Sequence, residues 1–146
     1  MMHKRVLVAA LVLGLAGPAL AQQPSPVGIW RTFDDHTGLE RSLVRISDTA
    51  EGLAARVVST VDPKEGEHVC DKCTDDRRDQ PIIGLEFMRG MKPDGEEWNG
   101  GRVLDPETGS VYRCEMHLED GGRKLVLRGY IGISLLGRSQ TWLRGG

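Results

Sequence analysis

Beyond its leader the chain has no apolar run approaching the ~20 residues that carry a helix across a bilayer, so no later transmembrane helix is expected. Nowhere does an apolar i, i+3, i+4, i+7 pattern persist for three turns, which excludes a helical bundle. There is no Gly-x-Ser-x-Gly, no internal repeat and no low-complexity tract. Nor is there a surplus of basic side chains: 19 Lys and Arg face 21 Asp and Glu, for a formal charge of −2. That balance offers no electrostatic reason for nucleic acid or anionic lipid to bind.

The chain opens with a basic stretch, Met1-Met2-His3-Lys4-Arg5. The apolar segment Val6 to Gly17 follows, and then Pro18-Ala19-Leu20-Ala21. That order is expected of a signal peptide cleaved after Ala21, the apolar run being too short for an anchor. Residues 1–21 are therefore read as leader and 22–146 as one domain, exported to the periplasm or secreted. No cysteine follows the cleavage point, so lipid attachment there is not expected. Losing Lys4 and Arg5 moves the formal charge from −2 to −4. A domain of this length buries most of its apolar surface without needing disulfides.

Within 22–146 short β-type runs alternate with turn clusters. Strands are expected at Val27–Phe33, Arg41–Ser47, Leu53–Ser59, Ile82–Arg89, Glu97–Leu104, Ser110–Leu118, Lys124–Ile131 and Gly137–Leu143. Between them sit clusters such as Asp34-Asp35-His36-Thr37-Gly38 and Asp105-Pro106-Glu107-Thr108-Gly109, which have the chemistry of tight turns. Tyr112, Cys114, Met116 and Leu118 alternate with Val111, Arg113, Glu115 and His117, so one face is core and the other wet. Ile83, Leu85 and Phe87 repeat the pattern. Hairpin-joined strands with one apolar face must bury it on themselves, and closure also removes exposed edges. The expectation is an all-β fold: a single small antiparallel up-and-down barrel of about eight strands. The polar segment 61–81, which contains two cysteines, is too long for a simple turn. It is a lid, an ordered excursion or a flexible loop.

Several combinations then invite recognition: Val27-Gly28-Ile29-Trp30 before a two-acid turn, Cys70-Asp71-Lys72-Cys73, Pro81-Ile82-Ile83-Gly84-Leu85, Trp98-Asn99-Gly100-Gly101, Asp105 to Gly109, Arg128-Gly129-Tyr130-Ile131-Gly132 and Gly137 to Trp142. Together they resemble the exported bacterial family known as domain of unknown function 2147. The resemblance implies a compact barrel like those of lipocalins and calycins, and it implies no activity. The Gly28-x-Trp30 start is similar to the first lipocalin strand, whose tryptophan closes one barrel end against a late-strand basic residue. By that likeness Arg138 or Arg128 would be the partner of Trp30.

Cysteine is informative in an oxidising compartment. Cys70 and Cys73 are expected to pair within the loop, leaving Cys114 as a buried thiol, and a bridge from the loop to Cys114 is the alternative. Thioredoxin-like chemistry would need a helix after Cys73, and no helical pattern follows it. A zinc site from His68, Cys70, Cys73, Cys114 and His117 fails because strand alternation sends Cys114 and His117 to opposite faces. His36, His68 and His117 fall in a turn, in the loop and on a wet face, so no nucleophile and base assemble. The acidic pairs Asp34-Asp35 and Asp75-Asp76 read as solvated turn residues. Trp30, Trp98 and Trp142 read first as core.

The expected function is therefore non-enzymatic and needs no cofactor or metal. The barrel would hold a small apolar or amphipathic ligand against Phe87, Tyr112, Met116 and Leu118, with Arg128 as an anion anchor if it points inward. The alternative is an interaction protein of the cell envelope with a fully packed barrel.

Overall fold

The computed structural model describes residues 13–18, 23–132 and 137–146. The leader and its cleavage point fall largely on residues 1–12 and 19–22, outside the described set. No helix among the described residues is long and apolar enough to cross a membrane.

Eight strands follow one another: β1 (Gly28–Phe33), β2 (Glu40–Thr49), β3 (Gly52–Thr60), β4 (Glu86–Asp94), β5 (Glu97–Leu104), β6 (Val111–Glu119), β7 (Lys124–Tyr130) and β8 (Arg138–Arg144). Each pairs antiparallel with the next, and β8 returns to β1 through Trp30↔Arg144 and Arg31↔Leu143. The result is a closed meander with no free edge. Among the described residues helix is limited to the single turn α1 (Pro63–Gly66) and one 3-10 turn at Asp120–Gly122. Asp62 caps α1 by accepting from the Lys64 N–H, and Pro63 supplies the fixed φ of a first helical turn.

The turns explain the register. Asp34 Oδ1 accepts from the backbone of His36 and Thr37, while the Gly38 N–H returns to the Asp34 carbonyl at 2.8 Å. Asp105 repeats this with Glu107 and Gly109, again at 2.8 Å for the closing bond. Both glycines have φ above +70°, which a side chain resists. In β5, Gly100 sits in a register shift at φ 76°, and a Cβ on Gly101 would strike Met91 and the Arg89 carbonyl of β4. These two glycines let the sheet coil tightly enough to close.

The fourth strand is shifted at both ends: expected at Ile82–Arg89, it runs from Glu86 to Asp94. It begins at Glu86 rather than Ile82 because Gly84 (φ 88°) turns the chain and Ile83 is left 43% exposed. Gly84 and Leu85 still bond Val57 of β3, so the alternation of Ile83, Leu85 and Phe87 is broken by a turn without loss of the ladder.

The core occupies the half of the barrel where β1 begins. Trp30, Ile46, Leu53, Met88, Met91, Met116 and Leu125 fill it, all under 8% exposed. Cys114 lies there as a fully buried free thiol against Met91 Sδ, and burial pushes its pKa up to about 12.

Candidate functional site

The barrel has two unlike ends. At the end where β1 starts, Trp30 is fully buried and its Nε1 donates to the Pro26 carbonyl at 2.8 Å. The guanidinium of Arg144 lies over its ring, 4.1 Å from the centroid. Arg144 also donates to the carbonyls of Ser25, Val27 and Gly122. This arginine, and neither Arg138 nor Arg128, closes the barrel on Trp30. Arg138 sits at the opposite end of β8, and Arg128 follows inward-facing Leu127 and so points outward, donating to Ser139 at 3.0 Å.

Among the described residues the opposite end is open. A cavity of about 1100 Å³ runs inward from it. Val44, Leu127 and Trp142 belong both to the cavity wall and to the packed core, so they form its floor. Phe87 and Val103 rest on that floor, with Phe87 edge-on to Trp142 at a centroid distance of 6.0 Å. The polar atom of the floor is already used: Trp142 Nε1 donates to Gln140 Oε1 at 3.2 Å, and Gln140 Nε2 donates onward to Asp35. Arg138 donates to the same Asp35 carboxylate, tying the β1–β2 turn to β8. The floor of the cavity is thus apolar, and its charged groups gather at the mouth.

Segment 61–85 resolves as an ordered excursion that covers part of that mouth. Its strands of chain are held by Cys70 N–H to the Gln80 carbonyl (2.8 Å), Asp79 N–H to the Cys70 carbonyl (2.9 Å) and a bridge between Val69 and Pro81. Cys70 and Cys73 form the disulfide. Both are fully buried in a second small core with Leu85 and Leu104, although the segment that carries them is polar. A polar loop of this length can bury a pair of sulfurs by building its own apolar centre against the barrel rim.

Charge fixes the excursion in place. Arg77 is 5% exposed and forks onto Asp75 at 2.6–3.2 Å while donating to the Glu86 carbonyl at 2.9 Å. Hydrogen bonding from Arg77 holds Asp75 down at a pKa of about 2. Arg89 of β4 spans Asp76 and Glu86, and Arg56 of β3 meets the other oxygen of Glu86. Across the mouth, Arg41 pairs with both Glu65 on α1 and Glu107 in the β5–β6 turn. Partial burial opposes the charge of Arg41, but Glu107 and Glu65 outweigh it and raise its pKa. A Cβ on Gly109 would collide with the Lys72 carbonyl, so excursion and turn touch backbone to backbone.

Of the residues expected to meet a ligand, Phe87 and Tyr112 line the cavity. Met116 and Leu118 do not, although they share the inward face of β6: they lie further toward the closed end, Met116 in the core and Leu118 against it. Arg128 lies outside. The sequence reading missed Val44, Val103, Leu127 and Gln140. The Val44 and Leu127 positions carry the same alternation as β6 and were findable from it, whereas Gln140 gave no signal. Pairing of Cys70 with Cys73 uses up two of the residues considered for zinc. Among the described residues no three His, Cys, Asp or Glu side chains are grouped to hold a metal ion.

Comparison with known proteins places the chain. Residues 28–144 match the family described as uncharacterized protein conserved in bacteria, DUF2147. A solved structure of HP1028 from the human pathogen Helicobacter pylori, described as belonging to the lipocalin family, aligns with a TM-score of 0.72. The identity is 19% and the alignment covers 84% of each chain, a likeness that speaks for the fold. None of the curated proteins matches.

Proposed function

The chain belongs to this conserved bacterial family, and from that premise we propose that it is a non-enzymatic carrier for a small apolar or amphipathic molecule, held in the open half of a lipocalin-like barrel. The observation that carries the reading is the cavity of about 1100 Å³, floored by Val44, Leu127 and Trp142 and open, among the described residues, at the end away from Trp30. Cavities that bind drug-sized ligands run to about 300–1,000 Å³ and are mostly apolar with few placed polar groups. Here the closed end is sealed by Trp30 and Arg144, so a ligand enters and leaves by the mouth under the 61–85 excursion. The leader expected at residues 1–21 supports a working site in the periplasm or outside the cell, and N-terminal sequencing of exported protein starting at Gln22 is the check.

Gly129 offers the cleanest test of the cavity. It lines the wall, its φ is ordinary, and the atoms nearest a Cβ there, on Val103, Tyr112 and the Arg113 carbonyl, lie at 3.5 Å, 3.7 Å and 4.0 Å, ordinary contact distances. Gly129→Leu is expected to fill the space and abolish uptake of a neutral fluorescent probe such as N-phenyl-1-naphthylamine, with the fold intact. An unaltered titration with the probe, or wild-type protein that takes up none, overturns the carrier reading.

A further inference from the structure

Resting on the carrier reading, we infer that the preferred ligand is an amphiphile whose polar head is cationic, an amine or other ammonium on an apolar body, and that a fatty-acid-like anion is disfavoured. The mouth and the floor of the cavity together carry the argument. An amphiphile leaves its charged end in water, because burying an unpaired charge in the apolar depth is costly. Its tail takes the floor of Val44, Leu127 and Trp142, and its head stops among the side chains of the mouth.

Those side chains have a definite sign. Asp34, Asp35, Glu65, Asp71, Asp105 and Glu107 line the mouth on the acidic side, against Arg41, Lys72 and Arg138. Two of the three cations are already engaged: Arg41 holds Glu65 and Glu107, and Arg138 holds Asp35. An incoming carboxylate would have to displace a carboxylate of the protein to reach either guanidinium. Lys72 remains, directly beside Asp71 in sequence. Asp34 and Asp105 are engaged only by neutral donors, backbone N–H groups and the Thr37 hydroxyl, which keep their charge without cancelling it. The N–H groups of Thr37 and His36 hold the Asp34 carboxyl below its ordinary pKa, so it stays ionised through the neutral range. Residues 133–136, outside the described set, carry no ionisable side chain and leave the count as it stands.

The depth adds the second half of the case. No Lys or Arg lines the floor, and the one indole N–H there is taken by Gln140. A fatty-acid carboxylate pushed head-first into the cavity would therefore find no cation at the bottom. An anionic head thus meets a net negative rim in one orientation and no cation in the other, whereas an ammonium head at the mouth meets a net negative rim.

The experiment compares three ligands with the same twelve-carbon tail, dodecylammonium, dodecanol and dodecanoate, titrated calorimetrically below micelle formation at low salt and neutral pH. The ammonium form is expected to bind about tenfold or more tightly than the carboxylate, with the alcohol between, the magnitude set by several rim charges acting through water. Raising salt to about 0.5 M should shrink that ratio, since exposed charges are screened within a few ångströms there. The Asp71 side chain is exposed and forms no hydrogen bond or ion pair among the described residues, so Asp71→Lys should cut the ammonium-to-carboxylate ratio several-fold. Carboxylate binding as tight as ammonium, with the alcohol still bound, overturns this inference and leaves the carrier reading standing. An ammonium preference indifferent to both salt and Asp71→Lys also overturns it, because the rim would not be its source. Failure of all three ligands and of the neutral probe removes the carrier reading itself.

Discussion

Arg144 lies over Trp30 at 4.1 Å, and the same guanidinium donates to three backbone carbonyls, from Ser25, Val27 and Gly122. One planar side chain thereby joins the N-terminal segment, the β6–β7 turn and the last strand over the closed end. A lysine keeps the charge but loses the fork and the stacking plane. Arg144→Lys is therefore expected to destabilise the fold by about 1–3 kcal/mol, from the carbonyls left without a donor and a weakened cation–π contact. Trp30→Ala should cost about 3–5 kcal/mol, the range for emptying a large buried aromatic site. Chemical denaturation checks both, and a wild-type midpoint for Arg144→Lys would show that the seal contributes nothing.

How the sequence revealed the barrel and hid the site is visible in β6. Alternation along Tyr112, Cys114, Met116 and Leu118 correctly identified the inward face, because side-chain period in a strand is fixed at two. It could not say how deep each residue lies, and depth decides that Tyr112 meets the cavity while Met116 is packed at 1% exposure. The turns were equally legible, since Asp34 and Gly38, or Asp105 and Gly109, carry their geometry locally. Arg144 was not, because its role depends on carbonyls of the N-terminal segment and of the β6–β7 turn, and it lies one residue beyond the strand expected to end at Leu143. The buried disulfide was hidden in the same way. Leu85 and Leu104, which cover Cys70 and Cys73, come from outside the polar segment whose composition suggested exposure.

Thiol accounting gives a sharp outcome. Cys114 is fully buried with its pKa raised to about 12, so it presents almost no thiolate to an alkylating reagent. Cys70 and Cys73 are joined and equally buried. Mass spectrometry after iodoacetamide is expected to show no adduct on native protein and one on unfolded, unreduced protein. Unfolding with reductant should expose all three cysteines of the sequence. A peptide map that joins Cys114 to the excursion would contradict the arrangement. Reducing the Cys70–Cys73 pair should not collapse the barrel, because so short a cross-link constrains the unfolded chain little.

Acid should loosen the excursion before it unfolds the barrel, and Asp75 is the reason. Arg77 is buried and Asp75 is its carboxylate partner, 38% exposed and held at a pKa of about 2 by the hydrogen bonds from Arg77. A carboxylate whose folded pKa is depressed contributes stability that is complete above its unfolded value near 3.8 and is lost as pH falls toward 2. Asp76, lowered in the same direction by Arg89, adds to the trend. Asp75→Asn removes the charge at every pH and leaves Arg77 one amide oxygen in place of the two carboxylate oxygens it forks onto, beside the Glu86 carbonyl. Losing one partner of a fully buried pair costs about 3–5 kcal/mol. With Asp75 partly exposed to water, a discounted loss of about 1–3 kcal/mol is expected at neutral pH. Urea denaturation of both proteins from pH 7 down to pH 2 should show the gap narrowing below about pH 4, as wild-type Asp75 takes up its proton. A gap that stays constant to pH 2 would mean that the Asp75 charge contributes nothing to holding the excursion over the mouth.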